Sequence, residues 1–367
     1  PEMHEKHAEE GPHTRDYRYN SAMKTLFVGG GSVGHIAPSV AVWEELKKIS
    51  PNSSAHFVCS PRPDDSAFLK KLHIKHTVLD APRLSVLYPL HIMKAVSIAK
   101  KMLLAQKPDI VFSKGGYVSI PVCFVAKRLH IPIVLHESDT VSGHANRIVS
   151  QWAAQVCTGF PGKHTFTGNP LRANITEGSK EEGLRITGLS GDKPILLVTG
   201  GSQGAQALNN AIIENLDDLL LRCDVLHITG RGKSTQQHRD GYFETEFAND
   251  ELKHFYACSS IALSRAGAGS IGELSANGIP TILVPLRGVG HDHQYKNAST
   301  SAKSGGCIHL EQSVLEKDLI QTVHLLITDK NRHTEMSHKI RTLSHSDAAL
   351  QIAKILVQTL DKAPTRQ

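Results

Sequence analysis

Two glycine-rich segments hold the residues best suited to chemistry. Residues 25–34 read TLFVGGGSVG and residues 195–204 read ILLVTGGSQG, each an apolar run followed by Gly-Gly-Ser-x-Gly. A glycine turn between a strand and a helix exposes backbone N–H groups beside the positive end of the helix dipole. Glycine also accepts positive φ and puts no Cβ in the path of an anion. One such loop reads equally as a phosphate site or as a tight turn. Their recurrence as a matched pair favours an anion site in at least one of them.

A dinucleotide site is the rival reading, because Gly29, Gly31 and Gly34 satisfy G-x-G-x-x-G. That match is weak alone, and the second strand of such a unit should end in an acid for the ribose hydroxyls. Here it ends in Cys59-Ser60, with Asp64 only after two prolines, which counts against NAD.

The loops need strands and helices to hold them. Strand-like runs fall at 24–28, 55–59, 109–112, 132–135, 195–198, 225–228, 260–264 and 281–284. Helical spacings lie between them, for example Ile36, Val40 and Trp43, or Leu208, Ile212, Leu216 and Leu219. Apolar strands alternating with helices predict an α/β fold with parallel sheets covered on both faces. The loop pair recurs about half a chain apart, so two tandem Rossmann-like domains facing across a cleft are expected, with the boundary in the Pro/Gly-rich stretch 159–172. The expected division is an N-terminal domain over 23–166, a C-terminal domain over 167–345 and an apolar helix over 346–362. Periodicity leaves open which half that helix packs on; a return to the N-terminal domain is the expectation. Residues 1–22 are polar, read as a disordered or tag-like tail, and show no signal-peptide pattern. Its His4, His7 and His13 read as solvated.

Composition narrows the classes. With 40% hydrophobic and 21% charged residues the chain of 367 residues is globular, and no apolar run is long enough to span a bilayer. Six cysteines without a C-x-x-C pair, most of them in apolar runs, suit a reducing cytoplasm. A net charge of +6 suits phosphates or an anionic membrane face, and no aromatic-basic pattern points to nucleic acid.

Seven segments together resemble the bacterial MurG family: GGGSVGHIAPSVAV (29–42), KPDIVFSKGGYVSIP (107–121), IPIVLHESDTVSGHANRI (131–148), GNPLR (168–172), GGSQGA (200–205), SRAGAGSIGELSANGIPTILVP (264–285) and DHQYKNA (292–298). The resemblance covers about residues 24–360. It implies a GT-B enzyme of glycosyltransferase family 28, peripheral on the inner face of the cell membrane, that transfers N-acetylglucosamine from UDP-GlcNAc to lipid I, making lipid II for peptidoglycan. No cofactor is implied beyond the donor substrate. The implied partners are a polyprenyl-diphosphate acceptor, an anionic membrane surface and other cell-wall enzymes.

Site residues follow from the same resemblance. On the donor side Ser202, Gln203, Gly204, Gly267, Ala268 and Ser270 match residues near the diphosphate, with Arg172 contributing. Glu273 matches the acid that binds the ribose hydroxyls, and Gln294 and Asn297 match residues that hold the GlcNAc hydroxyls. On the acceptor side the matches are Ser32, Gly34, Gly115, Gly116, Tyr117 and Ser138. His35 is the candidate base, with its alternative an orienting role in the first loop; Glu137 is a second candidate base. Val33 stands where the family's first loop has glycine; valine resists positive φ, so the loop cannot take the standard conformation unless that position is extended. HESD at 136–139 departs from the family's H-E-Q-N, and Gly269 and Gly272 depart slightly in the donor segment.

No metal site is expected. The Asp64-Asp65 pair is too distant in sequence from the donor motifs, and His291-x-His293 reads as part of the sugar site. Residues 84–107 mix apolar positions (Leu84, Val86, Leu87, Tyr88, Leu90, Ile92, Met93) with Lys94, Lys100 and Lys101. This reads as an interfacial patch on anionic lipid, with a core-facing helix as the alternative. Two other functions stay open: a UDP-sugar transferase for another lipid, and a catalytically impaired UDP-sugar-binding scaffold.

Overall fold

The computed structural model describes residues 22–31, 33–81, 88–172, 174–201, 203–288 and 290–363. Residues 1–21 of the tail, Ser32, Leu84, Val86, Leu87 and Ser202 lie outside these, as do the side chains of Val33 and Tyr88.

The first half alternates strand and helix: β1 (Lys24–Gly29), α1 (Val33–Ile49), β2 (Ser54–Cys59), α2 (Pro63–Lys71), β3 (His76–Val78), α3 (Tyr88–Gln106), β4 (Ile110–Gly115), α4 (Ser119–Arg128), β5 (Ile133–Glu137), α5 (His144–Ser150), β6 (Gln155–Thr158) and β7 (Thr165–Phe166). Its seven strands run parallel in the order β3-β2-β1-β4-β5-β6-β7. The second half adds α6 (Lys180–Thr187), β8 (Ile195–Thr199), α7 (Gln206–Glu214), α8 (Leu216–Leu220), β9 (Asp224–Ile228), β10 (Tyr242–Thr245), α9 (Leu252–Cys258), β11 (Ile261–Ser264), α10 (Ala268–Asn277), β12 (Thr281–Leu283), α11 (His293–Ala302), β13 (Cys307–His309), α12 (Leu315–Thr328), α13 (Lys330–Arg341) and α14 (Ala348–Asp361). Its six strands are also parallel, in the order β10-β9-β8-β11-β12-β13.

Both sheets reverse their winding beside the first strand of the half, at β1/β4 and at β8/β11. Ligands of open α/β sheets bind outside the carboxyl ends of the strands at that switch point. The loops after β1, β4, β8 and β11 therefore define where a site can lie, and they contain four of the motifs.

All eight apolar runs are strands, apart from shifts of one to three residues at their ends. Sequence reading missed β3, β6, β7, β10 and β13, which have two to four residues and too little periodicity to register. The Leu208–Leu219 pattern is two helices rather than one, divided at Asn215, whose amide donates to the Ala211 carbonyl instead of continuing the helix. The stretch 159–172 is more than a linker, since it contributes β7 to the first sheet. Val33 opens α1, so its backbone is helical rather than extended, and the turn before it is made at Gly31 with φ 100°.

Helix α14 leaves the second half and packs on α1. Its Ile352, Ala353 and Leu356 are fully buried in one cluster with Phe27, Val40, Phe57 and Phe112. Phe27 stacks on Phe57 at 4.7 Å and meets Trp43 and Phe112 edge-on. Leu356→Ala is therefore expected to cost about 2–5 kcal/mol, the usual range for a buried leucine that leaves a cavity. Both tryptophans, Trp43 and Trp152, belong to the first half. The loss should accordingly appear in urea unfolding followed by tryptophan fluorescence, and an unchanged midpoint would contradict the packing.

Candidate active site

On the donor side, β8 ends in Thr199 and the chain turns through Gly201 (φ 75°) and Gly204 (φ 64°) into α7. A Cβ on Gly204 would lie 2.3 Å from the Thr229 carbonyl oxygen, so this loop packs backbone to backbone on the turn after β9. Lys233 clamps it from that turn, donating to the Gln203 carbonyl at 2.8 Å. Gln203 itself is exposed. Across from the loop, Gly267 caps α10 with extended backbone and Ala268 begins the helix. Ser270 Oγ lies 3.9 Å from where a Cβ on Gly201 would sit, so the loop and the α10 N-terminus share one pocket wall. Two sets of backbone N–H groups and a hydroxyl in this arrangement suit a diphosphate.

One turn further along α10, Glu273 Oε1 accepts from Arg172 Nε at 3.1 Å and Oε2 accepts from the buried Tyr256 hydroxyl at 2.8 Å. Burial and the adjacent carboxylate push the Tyr256 hydroxyl well above its ordinary pKa, so it stays a donor. Arg172 and Glu273 thus meet as an ion pair, and Tyr256 is a partner that sequence reading missed.

Gln294 sits near the start of α11, its Oε1 accepting from the Leu286 amide at 3.1 Å. His291 and Asp292 just before that helix both hold left-handed backbone, φ 60° and 57°, a conformation that non-glycine residues seldom adopt. Asn297 is fully buried and differs from the sugar-facing residue expected. Its Nδ2 donates to Asp139 Oδ1 (2.8 Å) and to the Ala266 carbonyl (3.1 Å). Its Oδ1 accepts from the Thr140 amide (2.9 Å) and hydroxyl (3.0 Å). The asparagine therefore ties α11 to the loop after β5 across the cleft.

On the acceptor side two loops interlock. A Cβ on Gly116 (φ 83°) would lie 2.5 Å from the Gly30 carbonyl oxygen, and one on Gly115 would strike the Asn146 amide. Gly34 and Tyr117 flank these loops and are partly or fully exposed. The first loop is not an open anion cradle, because Gly31 N already donates to Asp65 Oδ2 at 3.0 Å and to Ser60 Oγ at 3.1 Å. Asp64 reaches Arg231 beside the donor loop. The fold thus brings Asp64-Asp65 to the cleft despite the distance in sequence, with both carboxylates engaged by protein groups.

His35 Nδ1 lies 3.2 Å from the Lys114 carbonyl oxygen. A carbonyl only accepts, so Nδ1 carries the proton and Nε2 keeps its lone pair. Burial, then the charge of Lys114, lowers the His35 pKa and favours the neutral ring. Glu137 is enclosed: Oε1 accepts from the Asp139 amide and Oε2 from Asn146 Nδ2. Burial raises its pKa, and both oxygens already accept hydrogen bonds from protein groups. Ser138 accepts through its carbonyl from Asn169 Nδ2 and through its hydroxyl from Lys114.

Further contacts span the cleft. Lys71 pairs with Asp250 at 3.0 Å, and His291 Nε2 lies 2.7 Å from His144 Nε2. His291 thus faces a histidine of the first half, and no cluster of three or more metal-ligating side chains occurs among the described residues. On α3, Ala95, Ala99 and Leu103 face the core while Leu90 and Met93 are each 68% exposed and Lys94 is exposed. Ile92 is half-buried. No helix among the described residues is long and apolar enough to cross a membrane.

Two family descriptions match this chain, the glycosyltransferase family 28 N-terminal domain over residues 25–158 and the family 28 C-terminal domain over 195–352. A UDP-N-acetylglucosamine--N-acetylmuramyl-(pentapeptide) pyrophosphoryl-undecaprenol N-acetylglucosamine transferase of Clostridium tetani is 34% identical over 314 residues, 81% of this chain and 87% of that protein. One with the same name from Lachnospira eligens is 32% identical over 90% of this chain and 98% of its own length. The crystal structure of Acinetobacter baumannii MurG shares the fold with a TM-score of 0.73 at 24% identity, covering 92% of this chain and all of that one.

Proposed function

The chain belongs to glycosyltransferase family 28 and, within it, to the MurG family, and on that premise we propose that it makes lipid II by inverting sugar transfer. The donor is UDP-GlcNAc and the acceptor is the MurNAc hydroxyl of undecaprenyl-diphospho-MurNAc-pentapeptide, lipid I. The observation that carries the donor side is the pairing of the GGSQGA loop with the α10 N-terminus, with Arg172 and Glu273 one turn away.

The acceptor hydroxyl attacks the anomeric carbon from the face opposite UDP, through an oxocarbenium-like transition state. Its proton passes to His35 Nε2, while the electrons of the breaking C–O bond go to the diphosphate oxygen. The N–H groups of both donor loops, Ser270 and Arg172 offset that developing charge. Glu273 holds the ribose hydroxyls and Gln294 the sugar, with Asn297 positioning the loop that faces it. Glu137 is a positioning residue for the same loop. The exposed Leu90, Met93 and Lys94 suit the inner face of the membrane, where the polyprenyl acceptor resides. No cofactor enters this scheme.

Incubation with UDP-GlcNAc and a short-chain lipid I analogue should release UDP and yield the β-linked disaccharide in equal amounts. Binding of UDP-GlcNAc without product on this acceptor, or turnover only on a diacylglycerol, would reject the reading.

A further inference from the structure

Lys114 has no part in the scheme of base and leaving group, yet its side chain is only 2% exposed. A buried ammonium is costly unless every proton finds an acceptor. Among the described residues Lys114 forms no ion pair; its Nζ donates to His136 Nδ1 at 2.9 Å and to Ser138 Oγ. On its other side His136 Nε2 lies 2.9 Å from the Gly168 carbonyl. That oxygen can only accept, so Nε2 carries the hydrogen and Nδ1 the lone pair. The main-chain carbonyl of the same lysine accepts from His35 Nδ1. One residue thus contacts both His35 and His136, and each contact selects a tautomer.

We propose that Lys114 is a positioning residue for the transfer reaction: its carbonyl and its ammonium hold His35 and His136 in neutral forms with Nε2 and Nδ1, respectively, unprotonated. The proposal rests on the reading of His35 as base. Protonating either ring would set a new N–H or positive charge close to the ammonium. His35 is faced by Lys114 from β4, by Asp139 from the loop after β5 and by Asp65 from α2; the lysine disfavours the imidazolium and the two acids favour it. Lys114 is in turn faced by His35, His136, Glu137 and Asp139. Burial brings its pKa down to about 8, against the pull of Glu137 and Asp139, so the charge is present at neutral pH. A neutral His35 is what proton transfer requires, and the lysine charge extends that state to lower pH.

The pH profile of kcat with UDP-GlcNAc and the lipid I analogue tests this. In Lys114→Met the acid limb should move up by about one pH unit, as expected for loss of a nearby like charge. Lys114→Arg should keep the limb closer to the native position, and the KM for UDP-GlcNAc should stay within about twofold of native in both. A Lys114→Met limb that coincides with the native one overturns the proposal. A rise in acceptor KM with the limb unmoved does so too, and marks Lys114 as an anion-binding group instead. Should Lys114→Met not fold, 15N spectra of histidine-labelled native protein decide. His35, assigned by difference with His35→Gln, should carry its proton on Nδ1, and the opposite tautomer removes the proposal. The two readings separate cleanly: a fully active His35→Gln enzyme removes the base, whereas an inactive one with an unmoved Lys114→Met limb removes only the lysine.

Discussion

Replacing His35 by glutamine should lower kcat by about 10²–10⁴-fold, the span general-base catalysis covers, with UDP-GlcNAc binding unchanged. Glutamine keeps an N–H for the Lys114 carbonyl, so the loop retains its contact while the basic lone pair is lost. The His35 ring bonds to the Lys114 carbonyl, with no hydrogen bond to the GGSQGA loop or α10 among the described residues, so the donor should still bind. The pH dependence carries a sign. Burial and Lys114 lower the His35 pKa, so the ring is neutral from below the ordinary imidazole range upward. Native kcat should rise with pH through a midpoint below about 6.5 and then level off, and His35→Gln should abolish that limb. Steady-state kinetics between pH 5 and 8 with calorimetric UDP titration measures all three quantities. A variant with native kcat and an intact acid limb would leave His35 only an orienting role in its loop.

Glu273→Gln should raise the KM for UDP-GlcNAc about 10–100-fold with little change in kcat, since a hydrogen bond to a charged group contributes about 1.5–3 kcal/mol. The carboxylate accepts from Arg172 and Tyr256 and, in the proposed complex, from the ribose hydroxyls. A carboxylate has lone pairs for all of these, whereas an amide has one accepting oxygen. The readout specific to this role is discrimination between UDP and 2′-deoxy-UDP, which the native protein should show and the variant should lose. Arg172→Ala should weaken UDP binding as well, by freeing Glu273 and removing a cation from the diphosphate side. Normal UDP binding by either variant would remove the donor assignment.

Much of the architecture could be read before any coordinates, because buried parallel strands are apolar on both faces and the sequence shows them as unbroken runs. GGSQGA was legible for a related reason: tight backbone approaches demand glycine, as the packing of Gly204 on Thr229 makes plain. What escaped were relations between residues far apart along the chain. Tyr256 has no local signature, and only α9 lying beside α10 brings it to Glu273. Asp65 looked remote from every motif until α2 set it under the Gly31 amide. Lys114 offered a signal that went unused, a single cation in an otherwise uncharged strand, just before two glycines. Asn297 was recognised through its motif, but the motif cannot tell that its amide is already committed across the cleft.

The return of α14 to the first half has a consequence for the order in which the molecule is made. Domains generally fold as units, the N-terminal one first as the chain emerges. Here the first sheet lacks part of its helical layer until residues 348–361 are synthesised, because Ile352, Ala353 and Leu356 close the cluster around Phe27. The second half, by contrast, draws its strands and helices α6–α13 from one continuous stretch, residues 180–341. The half that begins first is therefore completed last, and until then its aromatic core is uncovered on one side.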